Sequence, residues 1–121
     1  MENNKAELGK KGEEVAQDYY KKNNYTIRET NWRYGHLEID IIAENVNYII
    51  FCEVKTRSSS YMGNPEEFVT KQKQYNLIKA ANNYINRHNL MKEVRFDIIS
   101  IISKDLEFQV HHIPNAFLPR W

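Results

Sequence analysis

Glu38, Asp40, Glu53 and Lys55 are the residues of this chain whose types and spacing suit chemistry. They lie in two strand-like runs, Glu38-Ile39-Asp40 and Glu53-Val54-Lys55, separated by an apolar hairpin. A strand sends successive side chains to opposite faces, so Glu38 and Asp40 share a face, as do Glu53 and Lys55. If the runs pair as neighbours, three carboxylates and an ammonium converge on one edge of a sheet. Acids that close raise each other's pKa unless a cation sits among them. Hard oxygen donors suit Mg²⁺ or Mn²⁺ rather than zinc. The lysine is then placed to orient or deprotonate a water, or to neutralise charge on a phosphate. Such a set is suited to metal-dependent phosphodiester hydrolysis. The competing role is structural: Asp40 and Glu53 lie in apolar strands where an unpaired carboxylate is costly, and an ion pair with Lys55 satisfies one of them but not both.

The elements that position these residues follow from periodicity and breakers. Ala6, Val15, Ala16, Tyr19 and Tyr20 form an irregular apolar stripe that predicts a helix over residues 5–22, ended by Asn23-Asn24. Strands are expected over 25–34, 37–43 and 48–55, with a loop at 34–36 and a turn at 44–47. The third strand is almost continuously apolar, as in a strand covered on both faces. Residues 56–63 read as a polar loop, in which Tyr61 caps a core or stacks on a base. Asn64-Pro65-Glu66-Glu67 reads as a helix start, with the helix running to about residue 88. Strands over 94–102 and 106–112, around a turn at Lys104-Asp105, complete the chain. The passage from 48 to 102 predicts a right-handed parallel crossover. The fold class is therefore α/β: a single domain over residues 1–121 with a central mixed sheet of five strands flanked by helices.

Composition narrows the partners. The chain has 121 residues and a formal net charge of +1, so any nucleic-acid contact is a local basic patch rather than a uniformly basic surface. Cys52 is the only cysteine, which excludes an internal disulfide and a cysteine zinc site, and its apolar neighbours predict a buried thiol. His36, His88, His111 and His112 have no ligand spacing and read as surface residues. The N-terminal residues have no apolar segment and no stretch reaches spanning length, so a cytoplasmic protein without a membrane partner is expected.

Gly12-Glu13 with Ala16 and Tyr19, Asn31-Trp32-Arg33, Glu38-Ile39-Asp40-Ile41-Ile42-Ala43 and Phe51-Cys52-Glu53-Val54-Lys55-Thr56-Arg57 together resemble the YraN-type family of uncharacterised bacterial proteins. Gly63-Asn64-Pro65, Arg95-Phe96-Asp97-Ile98 and Ile113-Pro114-Asn115-Ala116-Phe117 extend the resemblance over essentially the whole chain. That family is similar to archaeal Holliday-junction resolvases and to the restriction-endonuclease-like fold with its PD-(D/E)xK site. A lone Glu-x-Lys is common, but a helix Glu, then a strand Asp, then Glu-x-Lys at hairpin spacing is far more specific.

The resemblance implies an endonuclease acting on DNA, branched DNA included, with Mg²⁺ or Mn²⁺ as cofactor. Residue by residue, it implies Asp40 and Glu53 as metal ligands, Lys55 as the catalytic lysine and Glu13 as the first-helix acid that supports it. By strand alternation Glu38 is either a further site acid or a solvated strand residue. Arg33, Arg57, Lys71 and Lys73 are where phosphates would be held if the site works and an ordinary charged surface if it does not, and Lys73-Gln74 matches the family's Lys-Gln pair. Leu37 stands where the family usually has Gly, which alters how closely a substrate backbone approaches Glu38; Lys71 stands where it often has Pro. Resolvases cut symmetrically, so the resemblance also implies a homodimer. The alternative is a non-catalytic nucleic-acid-binding module on the same fold, and a weaker third reading is a protein-interaction adaptor.

Overall fold

The computed structural model describes residues 5–58 and 69–118. Its elements are α1 (Lys5–Lys22), β1 (Thr26–Tyr34), β2 (Leu37–Glu44), β3 (Tyr48–Ser58), α2 (Lys71–His88), β4 (Glu93–Lys104) and β5 (Glu107–Phe117). The strands form one mixed sheet in the order β1-β2-β3-β4-β5. Only β3 and β4 run parallel; the other neighbours are antiparallel. The α/β class and five-stranded mixed sheet stand as expected, and the arrangement is consistent with a restriction-endonuclease-like fold.

Alternation along the central strands builds two cores. On one face Ala16 and Tyr20 of α1 pack with Ile41, Ala43, Ile50, Cys52 and Ile99. On the other, Leu77, Ala80, Ala81 and Tyr84 of α2 pack with Ile42, Ile49, Phe51 and Phe96. The pairing of Ile41 with Cys52 and Ile42 with Phe51 sets this division, because a one-residue slip would exchange the faces. Cys52 is fully buried, as its neighbours predict. At the β2–β3 turn the Asn45 side chain accepts hydrogen bonds from the Asn47 and Tyr48 amides, at 3.0 and 2.8 Å.

Three boundaries differ from expectation. The helix that packs on the sheet begins at Lys71, capped by Thr70, whose hydroxyl accepts from the Lys73 amide at 3.2 Å. The Asn64-Pro65 start, and with it Tyr61, lies outside the described residues. β3 continues through Ser58, because β4 pairs with it as far as Ser58↔Ser103. β5 runs on to Phe117 through Pro114, which an edge strand tolerates.

Asp97 knots β4, β5 and α1 together. The fully buried carboxylate accepts from Arg95 Nε and Nη2 (both 2.9 Å), Tyr20 Oη (2.8 Å), His112 Nε2 (2.7 Å) and the Asn115 amide (3.0 Å). Burial alone would raise its pKa; the bonds from His112, Arg95 and Asn115 outweigh that and hold it at about 2. His112 is thus not a surface residue: it bridges Asp97 and Tyr19 Oη, the latter at 3.0 Å. His88 stays exposed, as expected, with its ring stacked on Tyr84. Among the described residues, no helix is long and apolar enough to cross a membrane.

Candidate active site

β2 and β3 separate at their acidic ends. Their pairing ends at Ile41↔Cys52, one step before Asp40 would face Glu53. Beyond that point Asp40 Oδ2 accepts a hydrogen bond from the Val54 amide at 2.8 Å, so a side chain takes a place the ladder has vacated. The first turn of α2 lies over this opening. Lys73 Nζ is 3.4 Å from Glu53 Oε2, and Lys55 Nζ reaches the same oxygen at 3.8 Å. Glu38, Asp40, Glu53, Lys73, Asn76 and Leu77 are among the residues lining a cavity of about 300 Å³.

The electrostatics of this corner are unbalanced. Burial, then the charge of Glu53, then those of Glu13 and Glu38 push Asp40 up to about 8, against the Val54 hydrogen bond, which favours its charged form. Burial and the neighbouring Lys73 lower the pKa of Lys55, with Arg57 adding to the effect. Burial also opposes charge on Lys73, but its hydrogen bond with Lys55 and the attraction of Glu53 outweigh that and raise its pKa. Lys55 is the lysine of the pair that gives up its proton more readily.

Glu38, Asp40, Glu53, Lys55 and Lys73 therefore come together, and Glu13 acts on Asp40 from α1. The three strand acids line one cavity without meeting at one point. Asp40 turns to the Val54 amide, Glu53 to the lysines, and Glu38 to Arg33 Nη2 at 3.9 Å. Among the described residues, no three His, Cys, Asp or Glu side chains form a ready metal-binding group. A pair of carboxylates is nonetheless a fitting donor set for Mg²⁺, which keeps several waters and commonly takes one or two carboxylates from the protein.

The phosphate-contact residues divide. Arg57 lies on β3 beyond Lys55 and donates from Nη1 to the Thr56 carbonyl at 3.1 Å. Arg33 is exposed at the end of β1. Lys71 and Gln74 do not join Lys73: they line a separate cavity of about 180 Å³ with Tyr75, Ile78 and Leu118. A turn of 3.6 residues places positions 71, 74, 75 and 78 on one side of α2 and 73, 76 and 77 on another.

Two further residues shape the corner although the sequence assigns them no site role. Asn31 donates from Nδ2 to Glu13 Oε1 at 3.0 Å and has a left-handed backbone, φ 50°, inside β1. Gly12 is buried where α1 crosses β3, and a Cβ there would overlap the Thr56 hydroxyl and lie 2.9 Å from Thr56 Cβ. A turn-forming Asn within a strand and a Gly within a helix are the signals that point to them.

Comparison with known proteins places the whole corner inside one matched stretch. The uncharacterised protein family UPF0102 matches residues 12–101, from Gly12 to well beyond Lys73. A UPF0102 protein of Christiangramia forsetii is 48% identical over 111 residues, covering 92% of this chain and 93% of the relative. One of Bacteroides fragilis is 45% identical over 112 residues, covering 93% of each. One of Flavobacterium psychrophilum is 43% identical over 111 residues, covering 92% and 93%.

Proposed function

The chain belongs to the uncharacterised protein family UPF0102, and on that footing we propose that it is a metal-dependent endonuclease hydrolysing phosphodiester bonds in DNA, including branched DNA. The observation that carries the reading is Asp40, whose carboxylate is pushed up to about 8 by burial and by Glu53 while two lysines stand across the same opening. Asp97 shows how this fold steadies a buried acid that is only structural: it surrounds it with donors. Asp40 accepts from the Val54 amide and is otherwise faced by acidic neighbours. That arrangement suits a carboxylate whose partner is a cation from outside the chain.

Asp40 and Glu53, with main-chain oxygen near Val54, are the residues that would hold Mg²⁺ or Mn²⁺. The ion supplies Lewis acidity toward a phosphate oxygen and acidifies water. The chain's own groups do the rest. Lys55 Nζ, with its pKa lowered, positions an attacking water and takes up its proton, or offsets the charge that develops on the phosphate. Lys73, kept charged, holds a phosphate oxygen. Glu13 orients Lys55 from the helix side. A cytoplasmic homodimer making two related cuts belongs to the same reading.

The ion pairs of Glu53 with Lys55 and Lys73 favour one alternative, a binding module whose acids have become structural. Cleavage of labelled duplex, flap and four-way-junction DNA with Mg²⁺, Mn²⁺ or EDTA separates the two. The nuclease cuts with metal and stops in EDTA. A protein that binds these DNAs equally in EDTA and cuts none of them is the module.

A further inference from the structure

We propose that Asn31 is a positioning residue that clasps the Glu13 carboxylate and fixes it on the Asp40 side of the site. The role rests on the nuclease reading and extends it to a part of the site on β1 and α1. Asn31 lies between the pairs Thr30↔Ile41 and Trp32↔Ile39, which sets it opposite Asp40 across the β1–β2 ladder. Its neighbour Trp32 packs toward α2, edge-on to Tyr84, so Asn31 takes the other side of the strand, where α1 lies. There its side-chain amide donates to Glu13 Oε1 at 3.0 Å.

The backbone at Asn31 is left-handed, φ 50°, which is uncommon inside a strand and costs conformational energy. The residue is exposed, so burial offers no return for that cost; the contact with Glu13 is what the conformation accompanies. A second constraint acts on the helix itself. Gly12 lets α1 approach β3 until a Cβ would overlap the Thr56 hydroxyl, and Thr56 directly follows Lys55. Glu13 directly follows Gly12. The close crossing sets how far Glu13 stands from the sheet, and the Asn31 amide sets the direction of its carboxylate. Either constraint alone would leave a long, rotatable side chain loose over the opening.

Asn31→Gly tests the clasp, because glycine accepts the left-handed backbone and removes only the amide. In metal-free protein, the wild-type Asn31 side-chain NH₂ resonances should shift and exchange faster with water when Glu13 is changed to Ala. Asn31→Gly should melt at or above the wild-type temperature. With Mg²⁺ and a cleavable DNA, its kcat should fall by about tenfold to a hundredfold at unchanged KM, the scale of a misplaced catalytic group. Asn31→Asp, similar in shape but without the donor, should lose turnover likewise. Asn31 resonances indifferent to Glu13→Ala, or an Asn31→Gly protein with wild-type kcat, would overturn the role alone. A wild type inert toward both DNA and Mn²⁺ would overturn the nuclease reading and this role with it.

Discussion

Asp40 Oδ2 stands 2.8 Å from the Val54 backbone nitrogen, and through that bond the acid of β2 is fixed to β3 just past Glu53. The bond holds the two acidic strand ends at a set separation where regular pairing has stopped at Ile41↔Cys52. It also leaves the remaining lone pairs of Asp40 available. A carboxylate tied at one oxygen and crowded by like charge is poised to respond to protons and to cations.

The proton response sets the first prediction. Asp40 titrates at about 8 when folded and near its ordinary 3.8 when unfolded. Between those values the folded state holds a proton that the unfolded state has lost. The stabilising contribution is therefore complete below pH 3.8 and disappears as pH rises through 8. In EDTA, stability should decline across that window, and Asp40→Asn should flatten the decline. Asp97 works in the opposite sense: its contribution is present above 3.8 and is lost as pH falls toward 2. Urea titrations at stepped pH in EDTA measure both arms, and an Asp40→Asn profile parallel to wild type would refute the assignment.

Cation binding gives the second. Mg²⁺ or Mn²⁺ that binds only the folded protein raises its melting temperature by mass action, by about 2.7 kcal/mol of stability at a hundredfold excess over Kd. Asp40→Asn with Glu53→Gln should abolish the response and leave the metal-free protein as stable as wild type or more so. Differential scanning fluorimetry across a Mn²⁺ series decides it, and a double mutant that still shifts like wild type counts against these ligands.

The third concerns where a phosphate backbone passes. Lys73 faces the Asp40 cavity, whereas Lys71 lines the cavity with Tyr75 and Ile78. Lys73→Ala should weaken DNA binding at low salt and reduce the salt slope by about one ion's worth. Lys71→Ala should leave the slope close to wild type. Fluorescence anisotropy over a salt series reads both; equal effects would mean that DNA wraps around the N-terminal end of α2.

How much of this was legible beforehand depended on the range of the cause. The acid–hairpin–acid arrangement followed from alternation along two adjacent strands, and the structure puts Asp40, Glu53 and Lys55 at one corner. Helix phase on α2 was not resolved by sequence: Lys71, Lys73 and Gln74 look contiguous, but 3.6 residues per turn separates them. The start of α2 at Lys71 rests on a Thr70 side-chain bond to the Lys73 amide, a cap that no apolar periodicity announces. Asp97 and His112 could not be linked by any local pattern, because their contact joins β4 to an edge strand across a β-turn of the chain whose register only the folded sheet defines. Asn31 and Gly12 carried local signals, a turn former in a strand and a glycine in a helix, but their partners Glu13 and Thr56 are tertiary neighbours.

The close crossing of α1 and β3 yields the fourth prediction. Gly12→Ala brings a methyl group against Thr56 in a packed interior and should destabilise the protein by about 1–3 kcal/mol. Adding Thr56→Ala removes the overlapping hydroxyl and leaves a β-carbon 2.9 Å away, so it should recover part of the loss. Urea denaturation of the two single mutants and the double mutant gives the coupling directly. Additive effects would show that the two residues do not meet as described.

Lys55→Ala provides the fifth and the most decisive. Lys55 shares a strand face with Glu53 and stands 3.8 Å from its Oε2, close to the acid pair without being an oxygen donor. Its removal should leave cation and DNA binding nearly intact while lowering turnover by about two to four orders of magnitude, the range for losing a proton-transfer group. A purely structural lysine forecasts the reverse, since losing one partner of a buried pair leaves charge unpaired and reduces stability. Here Lys73 also contacts Glu53 at 3.4 Å and remains to pair with it, so the stability loss should be small. Thermal melts, Mn²⁺ titration and cleavage of the same preparation therefore give separate answers. A folded mutant that cuts branched and linear DNA at the wild-type rate removes Lys55 from the chemistry, whereas one that folds, binds Mn²⁺ and DNA, and fails to cut places its ammonium in the reaction.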